Sequence, residues 1–301
     1  MKKIILSLLL AFSFLVASRS LKAGPVINNF LSSTNQLVDF DEESITNATG
    51  TPTGATALAV GTILTAVVNF STLNGALLTK DTQNPNYQFT AISQIQVLSA
   101  QKLADGNYDF VFGAVGSTLA NPSGTMVSVY EDPNGNFDSH LTVLQTISSA
   151  ETGTLISTFG ISTNASAQNF WIANDVPNDI GVFNNTNTST AAQAFRFGLS
   201  MLSNPGGLNL IADGTTLGQT ATVQTGSGTV TYAGSNKYDL VGSGQLYGTN
   251  GFAGGTNFQA LSHTNTNFAS LVPEPSSIVL LSLGGVGVFG AARRRRRAVV
   301  A

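Results

Sequence analysis

Four oxygen-bearing side chains stand at alternate positions in one short stretch: Asp132, Asn134, Asn136 and Asp138, separated by Pro133, Gly135 and Phe137. That spacing matches the first half of a calcium loop, in which successive side chains turn hard oxygen ligands toward one ion. Two positions depart from the pattern. Phe137 stands where the sharp turn needs glycine, and Val143 stands where a bidentate glutamate would close the loop. Asn134-Gly135 between two β-prone runs also predicts a hairpin tip, and such a tip is able to hold calcium loosely.

Other chemistry is thin. Asp39, Asp41, Glu42 and Glu43 form an acidic run, and Asp105 and Asp109 flank the turn Gly106-Asn107. Either group could join an ion site, but solvated surface and turn formation are the commoner uses of such residues, and that is the expectation here. His140 and His263 are the only imidazoles, and neither sits in a metal-ligand spacing. No Gly-x-Ser-x-Gly elbow occurs. Cysteine is absent, which removes disulfides, thiolate metal sites and cysteine nucleophiles. Paired carboxylates for glycoside hydrolysis come from distant strands and leave no local pattern, so they are neither indicated nor excluded. Trp171, the sole tryptophan, lies in Asn169-Phe170-Trp171-Ile172, which reads first as a buried strand and second as a sugar-stacking site. Gly285-Val286-Gly287-Val288-Phe289-Gly290 satisfies the dinucleotide-loop pattern but lacks the helix and acidic residue that must follow it. The chain is expected not to be an enzyme, and to need no cofactor unless calcium binds at Asp132–Asp138.

The elements that would position these residues are short β-prone runs broken by Gly, Asn, Asp, Pro and Ser. Candidate strands cover residues 57–70, 87–99, 108–115, 125–131, 137–147, 153–161, 167–173, 194–202, 208–211, 220–224, 228–233 and 238–241. Residues 55–68 and 190–201 read equally well as helix. A bulge is expected at Gln96, Val97 and Leu98, where the alternation begun at Phe89 breaks. Gly226–Thr231 and Gly242–Leu246 share a Gly-Ser-Gly character that suggests adjacent glycine-rich turns. Residues 262–269 read as a last strand or a linker. The fold class expected is all-β, a jelly-roll-like β-sandwich over residues 24–271.

Charge narrows the partners. Between Gly24 and Leu271 the only cations are Lys80, Lys102, Arg196 and Lys237, against fifteen acids, a net charge of −11. Nucleic-acid binding needs basic patches, and four scattered cations cannot supply one. The whole chain is 42% hydrophobic with 18 phenylalanines, all but Phe12, Phe14 and Phe289 within this segment, which gives it the material for a sizeable core without disulfides.

Both ends carry targeting features. Met1-Lys2-Lys3 precedes an apolar run from Ile4 toward Ala17, with Ala23 the best cleavage position, which is the layout of a secretory signal peptide over residues 1–23. At the other end Val272-Pro273-Glu274-Pro275 is followed by an apolar stretch from Ser276 to Ala292 and then by Arg293, Arg294, Arg295, Arg296 and Arg297. A helix of that length rises about 26 Å, near the lower limit for one transmembrane helix. Ile278, Val279, Leu280, Leu281, Leu283, Val286, Val288 and Phe289 favour insertion, while four glycines weaken it. The arginines stop transfer and stay in the cytoplasm, leaving the body outside.

This tail, residues 272–301, resembles the PEP-CTERM sorting signal of Gram-negative bacteria. The resemblance implies an exosortase as processing partner, after passage through the secretion translocon and a pause in the inner membrane. It also implies a cell-surface, biofilm or matrix setting rich in extracellular polysaccharide. The expected function is a structural or adhesive surface protein. The alternatives are a carbohydrate-binding module, calcium-dependent or not, and an extracellular glycan hydrolase.

Overall fold

The computed structural model describes residues 24–81, 84–115, 123–163, 168–180, 194–247 and 258–271. In chain order its strands are β1 (Thr34–Thr46), β2 (Ile63–Leu73), β3 (Ala76–Leu77), β4 (Gln88–Lys102), β5 (Tyr108–Ala114), β6 (Thr125–Asp132), β7 (Thr154–Gly160), β8 (Phe170–Val176), β9 (Phe195–Ser203), β10 (Thr215–Thr216), β11 (Ala221–Thr225), β12 (Gly228–Tyr232), β13 (Lys237–Tyr238), β14 (Leu240–Tyr247) and β15 (Ala260–Ala269). One helix of more than a single turn is described, α1 (Val143–Ala150).

The protein is all-β, and its main ladder closes. Antiparallel pairing runs β1–β2–β4–β6–β7–β9–β14–β15 and returns to β1, so eight strands form a ring in chain order. That is an up-and-down meander rather than the crossing connections of the expected jelly roll. Opposite walls still face each other across one core, as sandwich faces do. A closed ring also removes the long unpaired edges that invite aggregation.

A second path branches from the ring. β4 pairs with β6 through Gln88–Ser93 and with β5 through Ile95–Lys102, and β5 leads through β8 back to β9. The switch coincides with a register shift between Val97 and Ser99, within the predicted bulge. Leu98, the extra residue, points outward and is 53% exposed.

Alternation divides each strand between interior and outer face. Leu64, Val68 and Phe70 of β2 meet Phe89 and Ile95 of β4, Val127 and Val129 of β6, and Phe195 and Phe197 of β9 inside the ring. Trp171 lies in this core, 4.5 Å from the Phe197 ring, as the buried-strand reading expects. On the outer face Val67, Ile92 and Tyr130 are covered by Val143, Ile147 and Ala150 of α1. The hairpin β11–β12 covers Phe170 and Ile172, with Tyr232 stacked on Phe170 at 4.1 Å.

Several sequence expectations need correcting. Residues 137–147 are not a strand: α1 begins at Val143, and the Oε1 of Gln145 accepts hydrogen bonds from the Thr142 amide and hydroxyl at 3.3 and 2.8 Å. The Asn134-Gly135 turn therefore leads from β6 toward a helix, and β6 pairs with β7. Residues 208–211 form no strand; Leu208 is simply buried from a loop. Of the two helix-or-strand segments neither forms a helix among the described residues: 55–62 are loop and turn, 63–68 belong to β2, and 195–201 belong to β9. Gly226 does sit in a hairpin turn, but Gly242 and Gly244 lie inside β14, opposite Phe197 and Phe195 of β9. A Cβ at either glycine would overlap the facing phenylalanine ring, so these glycines make room for aromatics and form no turn.

The N-terminal segment is fastened to the ring by one buried carboxylate. Glu131 accepts hydrogen bonds from the amides of Val26 and Ile27 and from the Tyr87 hydroxyl, each at 2.9 Å. Glu131→Gln exchanges one acceptor for a donor beside these donors. A loss of about 2 kcal/mol is expected, since hydrogen bonds to charged groups carry that much. Urea melts measure the loss, and earlier proteolysis before Thr34 locates it.

Candidate functional site

The acidic run expected on the surface is buried. Asp39, Asp41, Glu42 and Glu43 are each no more than 6% exposed. Because β1 alternates, Asp39, Asp41 and Glu43 face the interior while Glu42 faces the opposite side. Their partners come from β15, whose residues facing this strip include Ser262 and Thr264. The Thr264 amide donates to Asp39 Oδ1 at 2.7 Å, and the Thr264 hydroxyl donates to Asp41 Oδ2 at 2.7 Å. Ser262 Oγ lies 2.9 Å from Glu43 Oε1 and 3.2 Å from Asp41 Oδ2.

Ser262 has one hydroxyl proton and two carboxyl neighbours, so it either shares that proton between them or accepts one from a protonated carboxyl. Burial pushes Glu43 up to about 7, with the charge of Asp41 adding to it. Burial likewise raises Asp41 to about 6, against the donors Thr264 and Ser262. Asp39 sits well above its ordinary value through burial and the neighbouring Asp41. The strip is a ladder of carboxyls whose proton affinities burial raises, with the like charge of Asp41 adding to the rise at Asp39 and Glu43.

These carboxyls border an interior cavity of about 60 Å³ whose remaining walls are mostly apolar, including Val68, Phe89, Val129 and Phe197. Asp41 Oδ1 and Glu43 Oε2 have no hydrogen-bond partner among the described residues. The volume suits ordered water rather than a sugar. Glu42, on the outer side, is also raised to about 7 by burial, with His140 pulling the other way.

The Asp132–Asp138 stretch, singled out as a possible calcium loop, forms a turn after β6. Asp132 is buried, and both its oxygens are committed to the loop's own amides: Oδ1 accepts from Asn134 at 2.7 Å and Oδ2 from Asn136 at 2.8 Å. Burial opposes ionisation of Asp132, but the amides of Asn136, Asn134 and Gly135 outweigh it and hold the carboxyl below its usual value. Gln88 clamps the next residue, accepting from the Phe137 amide at 2.7 Å and donating to its carbonyl at 3.1 Å. Asn134, Asn136 and Asp138 are exposed, and Asp138 turns to His140, whose amide donates to it at 2.9 Å. The arrangement caps a turn. Among the described residues no three His, Cys, Asp or Glu gather into a metal-binding group.

Asp105 and Asp109 are not brought together for ion binding either. Asp105 accepts the Asn107 amide at 3.0 Å in its turn, while buried Asp109 accepts the amides of Asp175 at 3.0 Å and Gln224 at 2.7 Å. The second of these ties the β11–β12 hairpin to the body. His263 lies on β15 opposite Gln245, away from the exposed His140.

Residues 1–23 and 272–301, which hold the signal peptide and the whole tail from Val272 to Arg297, lie outside the described residues. No described helix is long and apolar enough to cross a membrane. What the structure does place is where the tail leaves. β1 and β15 are neighbours, Thr34 pairs with Ala269, and the Ser270 amide donates to the Ser33 carbonyl. Both ends of the described body therefore emerge at one end of the ring.

An all-β body followed at once by a proline-flanked apolar tail defines an exported protein with a C-terminal sorting segment. Residues 271–297 match the family model described as the PEP-CTERM protein-sorting motif, and the chain carries that motif. It implies an exported protein that an exosortase sorts, anchored in the membrane before processing. No curated protein and no solved structure gave a match to the chain.

Proposed function

We propose that this is a structural or adhesive protein of the cell surface or extracellular matrix, delivered by the translocon and released from the inner membrane by an exosortase. The observation that carries the proposal is the sorting motif at residues 271–297, beginning where the last ring strand has just ended. In this reading Pro273-Glu274-Pro275 is the recognition element, residues 276–292 span the membrane, and Arg293–Arg297 hold the cytoplasmic side.

A non-enzymatic role fits the placement of the titrating carboxyls. Asp39, Asp41 and Glu43 border a small, largely apolar interior rather than a cleft able to admit a polymer. Thr222, Gln224, Ser227 and Thr229 of the β11–β12 hairpin are exposed neutral hydroxyls and amides, groups suited to weak contacts with hydrated polysaccharide. Extracellular polysaccharide is therefore the proposed partner.

Removal of residues 272–301 tests this. The full chain is expected in the surface or matrix fraction of an exosortase-bearing host, and the shortened chain free in the periplasm or medium. Equal distribution of the two would refute the proposal.

A further inference from the structure

The sorting reading puts a membrane directly below one end of the ring, and the geometry limits how far below. Only residues 272–275 separate Leu271 from Ser276, the first residue of the apolar span. Five chain steps at full extension cover roughly 17 Å. Headgroups occupy about 5–7 Å of that on each side of the hydrocarbon core. The end of the ring that releases Leu271 therefore stays within about 10–12 Å of the headgroup surface while the tail is intact, close enough for that end to settle onto it.

That end presents apolar side chains. The turn after β2 brings up Leu77, which pairs beside Thr72, one residue before the Leu73 that faces Leu37. Ile211 is fixed next to the exit point, its amide donating to the Ala269 carbonyl at 2.9 Å. Leu271 follows directly. Leu77 is 56%, Ile211 38% and Leu271 61% exposed, although all three are large hydrophobics. The turns beside them carry Ser32, Ser33, Asn74 and Gly75, neutral residues that cost little to bring to a headgroup layer. Asp213, exposed near Ile211, limits how close that corner comes to anionic lipid.

We infer that this end of the ring is a lipid-contacting face in the membrane-anchored precursor, with Leu77, Ile211 and Leu271 set into the bilayer interface. The inference rests on the tail being a membrane anchor, and goes beyond it by naming the face. Apolar groups of this size gain free energy when they leave water. Three of them on a tethered body therefore fix its orientation rather than its attachment. Processing at the motif would then free the face as well as the chain.

The absence of native cysteine makes the test clean. Leu77→Cys and Ile211→Cys place labels at the proposed face, and Val60→Cys and Leu98→Cys place them on exposed residues, 66% and 53%, toward the other end. Each full-length precursor is labelled with a fluorophore and reconstituted in phosphatidylethanolamine–phosphatidylglycerol vesicles bearing headgroup nitroxides. Quenching at 77 and 211 is expected to exceed that at 60 and 98 at least threefold. Equal or reversed quenching in precursor that floats with the vesicles overturns the face and leaves the anchor standing. Precursor that does not float overturns the anchor and the face with it. Labels at 77 and 211 that are shielded in a protein-concentration-dependent way, without lipid quenching, would show a second copy on this surface and also overturn the inference.

Discussion

Glu43→Gln, alone and combined with Asp41→Asn, is expected to raise stability at pH 8 and to flatten the stability–pH curve between about pH 4 and 7. Glu43 and Asp41 ionise near 4 in an unfolded chain and at about 7 and 6 in the folded ring. Over that window the folded state binds protons that the unfolded state has released. The advantage of the protonated carboxyls is complete below the unfolded values and is lost as pH rises through the folded ones. A tenfold difference in proton affinity between the two states is worth about 1.4 kcal/mol, so the loss is of order 3 kcal/mol per carboxyl. It is less than additive because the strip titrates as a whole. An uncharged amide still accepts from Ser262 and gives its own N–H beside Asp41. Urea melts from pH 4 to 8 measure this. A wild-type curve that is flat across the window, or variants weaker at every pH, would contradict the protonated ladder.

Gly242→Val is expected to destabilise the ring by about 3 kcal/mol, the upper part of the range for overpacking a filled interior. The new side chain has nowhere to go, because the Phe197 ring already lies against the Gly242 backbone on that face. The cause is steric, so the double variant Gly242→Val with Phe197→Ala should lose less than the sum of its parts. Thermal melts of the four proteins give the coupling. If Gly242→Val were neutral, or the two losses added, the glycine–aromatic register would be wrong.

Those two sites mark where sequence reading stops. The class was legible because turn residues punctuate β-prone runs, and the bulge was legible because Val97-Leu98 breaks a clear alternation. Trp171 was legible as core for the same reason. β1 was not, although it is among the longest strands and closes the ring. Its inward positions carry Asp39, Asp41 and Glu43, so the apolar alternation that signals a strand is missing. The compensating signal lay more than two hundred residues away in Ser262 and Thr264, and a pairing at that distance leaves no local trace. Gly242-Ser243-Gly244 misled in the same manner, since glycine suggests a turn until the facing strand supplies Phe195 and Phe197.

The Asp132 loop shows another limit. Spacing alone offered four oxygen-bearing side chains, and left no trace that the backbone amides of Asn134 and Asn136 donate to the Asp132 carboxylate. Helix α1 was within reach of the sequence, because Thr142-Val143-Leu144-Gln145 is a capping-box start. The β propensity of the residues around it obscured that. The tail, by contrast, is a linear signal read in order by membrane machinery, and linear signals survive without tertiary context.

Handling of the tail by an exosortase is tested most directly by the intact mass and location of the mature chain in a host with the enzyme and in the same host without it. The tail is expected to be cut at the motif, and the body to leave the inner membrane, only when the enzyme is present. The same mass and the same membrane location in both hosts would contradict this, and would leave the tail an ordinary anchor.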